Sequence, residues 1–164
     1  DSGARWYYPL HKDPNWGGSY VLALGGALGY GVGYAKSSSS GHDLPLFERY
    51  FPGGINSVRG YADRSLGPKQ NDDVVGGDKQ AIMNVELLFP IAEQYGLRGV
   101  AFFDVGQAFG SSQNISWGEF RRSVGMGARW MSPFGPLRVE LGFPLNKKHG
   151  DDTSVLGFGA GNLP

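Results

Sequence analysis

The feature that most limits what this chain can fold into is a period-two alternation of side chains, held over long runs. Along residues 97–109, Leu97, Gly99, Ala101, Phe103, Val105 and Phe109 share one side. Arg98, Asp104, Gly106 and Ala108 take the other. Residues 137–145 repeat the pattern, with Leu137, Val139, Leu141, Phe143 and Leu145 opposite Arg138, Glu140, Gly142 and Pro144. In residues 79–89, Ala81, Met83, Val85, Leu87 and Phe89 oppose Gln80, Asn84 and Glu86. In residues 121–131, Val124, Met126, Ala128 and Trp130 oppose Ser123, Gly125, Gly127 and Arg129. Residues 19–35 set large apolar side chains (Leu22, Leu24, Leu28, Val32) against small ones (Ala23, Gly25, Gly29, Gly31, Gly33). Such alternation sends successive side chains to opposite faces of a strand, whereas a helix needs a period of 3.6. The expected fold class is all-β and antiparallel. Residues 4–10 read as the end of a truncated first strand, and residues 153–161 as a weaker last one.

Two architectures share this pattern. A soluble sandwich turns apolar faces inward, whereas a membrane barrel turns them to lipid and its polar faces to the lumen. Apolar runs never approach the roughly 18 residues of a membrane helix, so a membrane reading must go through strands. The runs suit tilted membrane strands of about 9 to 11 residues better than sandwich strands of about 5 to 6. Connectors also differ in length: 132–136 is short, whereas 37–78 is very long. That asymmetry is typical of outer-membrane barrels. Glycine, at 28 of 164 residues, and aromatics, at 13%, fit a barrel as well. Patterning favours the barrel and leaves the sandwich open.

Charge and chemistry exclude more than they assign. Fifteen basic and fifteen acidic residues leave no net charge, so no nucleic-acid partner is expected. The absence of cysteine removes disulfides, thiolate metal sites and cysteine nucleophiles. His11, His42 and His149 read as turn or loop residues without metal-ligand spacing. Ser57 lies in no nucleophile elbow. The run Gly29-Tyr30-Gly31-Val32-Gly33 lacks a Walker lysine and a following helix, and reads as strand. Glu140 and Asp104 are conceivable paired carboxylates, but nothing suggests a substrate cleft. Asp72-Asp73 and Asp151-Asp152 are conceivable metal ligands, with solvated loop charge the better reading. No enzyme, metal or cofactor is expected. Asp1-Ser2-Gly3-Ala4-Arg5 opens no apolar leader, and the start reads as a cut within a larger protein.

A more specific signal runs through the long connector. The stretch Leu46-Phe47-Glu48-Arg49-Tyr50-Phe51-Pro52-Gly53-Gly54-Ile55-Asn56-Ser57-Val58-Arg59-Gly60-Tyr61 closely resembles the loop of the BamA/TamA outer-membrane assembly family, with its Val-Arg-Gly-Phe/Tyr motif. Leu66-Gly67-Pro68-Lys69, Val75-Gly76-Gly77, Phe103-Asp104-Val105-Gly106 and Trp130-Met131-Ser132-Pro133-Phe134-Gly135-Pro136-Leu137 follow the same family pattern, in order, along nearly the whole chain. The resemblance implies the C-terminal part, about six strands, of a sixteen-stranded transmembrane barrel spanning residues 1–164. Residues 37–78 would be an extracellular loop folded back into the lumen. It also implies assembly and insertion of β-barrel proteins in the bacterial outer membrane. Unfolded outer-membrane protein clients, accessory assembly lipoproteins and outer-membrane lipid would be the partners. A departure from the family stands at the end: Gly161-Asn162-Leu163-Pro164 replaces the usual terminal aromatic residue.

The motif residues Val58, Arg59, Gly60 and Tyr61 are the first candidates. The resemblance places them at the loop tip, with Arg59 against acidic groups of the inner wall. The strand reading independently sets Glu86, Asp104 and Gly106 on polar faces of neighbouring strands. An arginine can fork onto carboxylates as lysine cannot; the plainer reading is solvated charge. Gly60 is expected to supply an unusual backbone shape. Gly53-Gly54 and Gly76-Gly77 either do likewise or are ordinary turn glycines. Trp6, Tyr7, Tyr8, Trp16, Tyr20, Tyr30, Tyr34 and Trp130 are candidates for aromatic girdles, or ordinary packing. Leu156 and Phe158 mark the last strand, the expected lateral seam. An isolated piece with two open edges is expected to self-associate. A dedicated exporter of the two-partner secretion type and an outer-membrane barrel enzyme are the alternative functions.

Overall fold

The computed structural model describes residues 1–12, 18–33 and 44–160. The girdle candidates Trp16 and Tyr34, His42 and the expected end of the last strand at Gly161 lie outside the described residues. Seven antiparallel strands form one sheet: β1 (Ser2–Lys12), β2 (Ser19–Tyr30), β6 (Lys79–Ala92), β7 (Leu97–Phe109), β8 (Arg121–Ser132), β9 (Gly135–Pro144) and β11 (Leu156–Ala160). They neighbour one another in chain order. The first strand is a full eleven residues, longer than the truncated run expected, and it takes in His11. Alternation in 4–10 is weak because Trp6, Tyr7 and Tyr8 put aromatics on both faces.

Strand lengths follow the chemistry of their ends. β6 runs through Pro90, where the register with β7 shifts, and gives way to a 3-10 turn at Glu93–Tyr95. Proline cannot donate to a ladder and is tolerated at such irregular ends. The turn closes on Gly96 in the left-handed region. β2 stops at Tyr30, so the Gly31-Val32-Gly33 part of the run expected as strand is not strand.

The two faces differ as a membrane sheet requires. On one, Met126, Leu141, Phe143, Leu156 and Phe158 are exposed. On the other, Glu86, Asp104, Arg129, Arg138 and Glu140 are buried. A soluble sandwich inverts this arrangement. The upper end of β7 is an exception: Phe109 and Phe120 meet edge to face beside Val105, so residues 110–120 cover part of the apolar side.

Burial of the charged face comes from the long connector. Its described part contains a 3-10 turn (Leu46–Glu48), the two-residue strand β3 (Gly60–Tyr61) and the hairpin β4 (Lys69–Gln70) to β5 (Asp73–Val74). Asn71 and Asp72 take the left-handed conformations that a tight hairpin turn requires. The base of the connector is stitched shut. Tyr50 bridges to Gly77, the Leu44 amide donates to Asp78, and Arg49 donates to the carbonyls of Leu44 and Val75. Its tip packs Val58, Tyr61 and Leu66 into a small core against Ile82 of β6.

The expected last strand is split. Thr153–Ser154 (β10) leaves the sheet and pairs with β3 of the connector. Leu156–Ala160 forms the ladder with β9.

Candidate functional site: an arginine brace beneath the connector

Arg59 sits at the tip of the connector and points into the sheet. Its Nε and Nη2 donate to the two oxygens of Asp104 at 2.7 and 2.6 Å. Its Nη1 donates to Glu86 at 2.6 Å and to Glu140 at 3.0 Å. The Arg59 amide adds a bond to Asp104. The Phe102 ring lies 3.6 Å from the guanidinium carbon and closes one flat side. One planar group thus joins strands β6, β7 and β9, using the fork geometry that a lysine ammonium lacks.

A second arginine completes the cluster. Arg129 of β8 donates to both oxygens of Glu86 and to Glu140 from the other side. Asn84 donates to Asp104 and to the Ser57 carbonyl, tying wall to loop. Burial alone would lower the pKa of Arg59. The hydrogen bond and charge of Asp104, and the charges of Glu86 and Glu140, outweigh it and hold the pKa above its ordinary value. Arg59 therefore keeps its charge. Removing one member of such a cluster costs about 3–5 kcal/mol, because its partners stay buried and unpaired.

Glycines let the backbone of the loop lie on the wall. Gly60 has φ +88°, a region that L side chains resist. A Cβ on Gly142 of β9 would stand 2.5 Å from the Gly60 nitrogen, so the two chains touch backbone to backbone. Gly106 leaves the space that Val58 fills.

The structure therefore brings Val58, Arg59, Gly60, Tyr61, Glu86, Asp104 and Gly106 together. Leu156 and Phe158 stand apart, exposed on the apolar face. Sequence reasoning passed over Phe102, Arg129 and Glu140 as members of one cluster. The available signal was their shared polar face: Arg129 on β8 and Glu140 on β9 lie inward for the same reason as Glu86. Ser57 has a local task, exchanging hydrogen bonds with the Gly53 backbone. Among the described residues no group of three or more His, Asp or Glu side chains is arranged to hold a metal ion. Every carboxylate of the cluster is engaged by guanidinium. The arrangement is suited to holding a loop in place.

Comparisons with known proteins agree with this architecture. The Omp85 superfamily domain matches residues 1–163. The outer membrane protein assembly factor BamA of Nitratidesulfovibrio vulgaris is 43% identical over 108 residues, covering 64% of this chain. BamA of Neisseria meningitidis serogroup B is 32% identical over 95% of it. The chain spans only 14% and 22% of these relatives' lengths. The crystal structure of BamA from Haemophilus ducreyi lacking POTRA domains 1–3 superposes with a TM-score of 0.78 at 26% identity, over 95% of this chain and 33% of that one. The chain belongs to the Omp85 superfamily, and its sheet is the C-terminal part of an antiparallel transmembrane β-barrel.

Proposed function

We propose that this chain is the C-terminal barrel segment of a machine that assembles β-barrel proteins and inserts them into the bacterial outer membrane. Its clients are unfolded outer-membrane proteins, its medium is outer-membrane lipid, and accessory lipoproteins assist it. It breaks no covalent bonds. The names of the BamA relatives support this reading. The observation that carries it is the contrast between a wall braced through Arg59 and a last strand held by five residue pairs.

The physical problem is an unpaired backbone. A client strand cannot enter lipid with its amides and carbonyls bare, since each costs several kcal/mol. A short terminal ladder can open and offer its edge, where a client strand pairs by β-augmentation. The wall must stay in shape meanwhile, and the connector, as an extracellular loop folded into the lumen, holds it. Gly106, Glu86 and Asp104 seat the Val58-Arg59-Gly60-Tyr61 tip; Leu156 and Phe158 carry the lipid face of the seam. The isolated segment, with β1 and β11 as free edges, self-associates.

The test places Arg59→Ala in the full-length protein. Insertion of a porin-type client into liposomes is measured per correctly folded protein. A fall of about tenfold or more is expected, with Asp104→Ala matching it and the double variant adding little. Unchanged insertion would break the link between loop and insertion, and make a dedicated two-partner exporter the better reading.

A further inference from the structure

The last strand has two partners, and the chain explains why. On the β9 edge facing β11, the Gly142 amide donates to the Val155 carbonyl at 2.8 Å. The next residue facing that edge is Pro144, which has no N–H. The ladder therefore stops at Val155 for lack of a donor. Thr153 and Ser154 find their partners on the connector instead, opposite Tyr61 and Gly60. The Ala62 amide donates to the Asp152 carbonyl at 3.0 Å and extends the pairing. Below it, Ile55 of the connector packs into the space left by Gly157 of β11. Arg138 of β9 donates to Asn56. The tip that grips the wall through Arg59 thus also grips the seam strand. A cavity of about 220 Å³ separates the two grips, lined by Arg59, Tyr61, Glu140, Ser154 and Leu156 among others.

We propose that the connector is a latch on the seam. Gly60–Tyr61 hold Thr153 and Ser154 away from the upper edge of β9, Ile55 rests on the paired part of the strand at Gly157, and these contacts release when a client strand pairs at the seam. Ile55, Thr153 and Ser154 are positioning residues for strand exchange. The inference rests on the insertase reading and assigns the motif loop a second task beside bracing.

The chain has no cysteine, so a reversible lock is clean. A Cβ on Gly157 would lie 3.5 Å from the Ile55 Cβ, within the about 3.5–4.5 Å that a disulfide needs. The double variant Ile55→Cys/Gly157→Cys is made in the full-length protein and compared with itself, oxidised and reduced. Two quantities are read: amide hydrogen exchange over residues 153–160, and the rate of porin-type client insertion into liposomes. Oxidation is expected to slow both by about tenfold, with recovery on reduction. If the oxidised form inserts client at the reduced rate, while the unaltered protein is active, the latch is overturned and the insertase reading stands. If exchange slows on oxidation but even the unaltered protein inserts nothing, the grip of the connector on the last strand stands, while the insertase reading and release by a client are lost. Ser154→Pro reads the same contact without a crosslink, because it removes a strand donor. It should speed exchange over residues 156–160 about fivefold; unchanged exchange overturns the proposal.

Discussion

The wall around Arg59 and the seam at β11 are parts of one sheet, yet they are held in different ways. Strands β6 and β7 share thirteen residue pairs, and the charged cluster ties them to β8 and β9. β11 shares five pairs with β9, presents Gly157 and Gly159 on its inner face, and gives its first residues to the connector. In the wall, backbone ladders and buried ion pairs reinforce one another. At the seam the ladder runs out at a proline and a loop takes over. A firmly braced frame and a lightly paired edge thus stand side by side in one sheet, and one element, the connector, touches both.

The largest expected effect breaks the wall. Arg59→Ala strands Asp104 without its fork and should cost about 3–5 kcal/mol of stability. Resistance of the connector to protease in the folded protein is the measurement. Arg59→Lys should recover only part of the loss, because an ammonium cannot span two oxygens of Asp104 while reaching Glu86. Protection in Arg59→Lys equal to that of the unaltered protein would show that charge alone, without geometry, holds the loop.

Gly142→Ala probes where wall and latch meet. Its Cβ would press on Gly60 and on the Arg59 carbonyl carbon. A destabilisation of about 1–3 kcal/mol is expected, with the connector lifted while the ladder between β8 and β9 persists. Gly26→Ala is the comparison, since its Cβ would lie 3.8 Å from the Ile82 carbonyl oxygen, an ordinary contact. If the two variants unfold alike in denaturant, the close approach carries no energy.

Pro144→Thr sharpens the contrast from the other side. It returns a donor to the β9 edge and should strengthen the seam by about one hydrogen bond, 0.5–1.5 kcal/mol. Slower amide exchange over residues 156–160 is the expected reading. Unaltered exchange would mean that proline does not set where the ladder ends.

The smallest effect is a pH dependence at the rim. Arg121 forks onto Asp151, which also accepts from the Lys148 amide. Burial would raise the pKa of Asp151, but these bonds outweigh it and hold it below the ordinary value of 3.8. A carboxylate depressed on folding stabilises above its unfolded pKa, and that contribution fades as pH falls through the folded one. Protease access to residues 146–152 should therefore rise only at acid pH below that value. In Asp151→Asn it should be raised already at neutral pH and change little on acidification.

Much of this was legible in the chain. Alternation showed the strands and set Glu86 and Asp104 on one kind of face, and the motif around Arg59 resembled a known loop. Phe102, Arg129 and Glu140 escaped because a polar face names candidates without saying which strands a loop will cross. The split of residues 153–161 escaped for another reason. Alternation continues through Thr153 and Ser154, and nothing local tells a strand that its neighbour has lost a donor.

The sequence by itself determined most of the strands and their two faces. Those follow from side-chain period, which is a local property. Tertiary structure alone decided that Arg59 serves three carboxylates together, that Gly142 makes room for Gly60, and that the last strand divides its pairing. These depend on contacts between residues up to 94 positions apart, as in the Gly60–Ser154 pair. No local preference specifies such contacts, and they form only when the connector closes over the sheet.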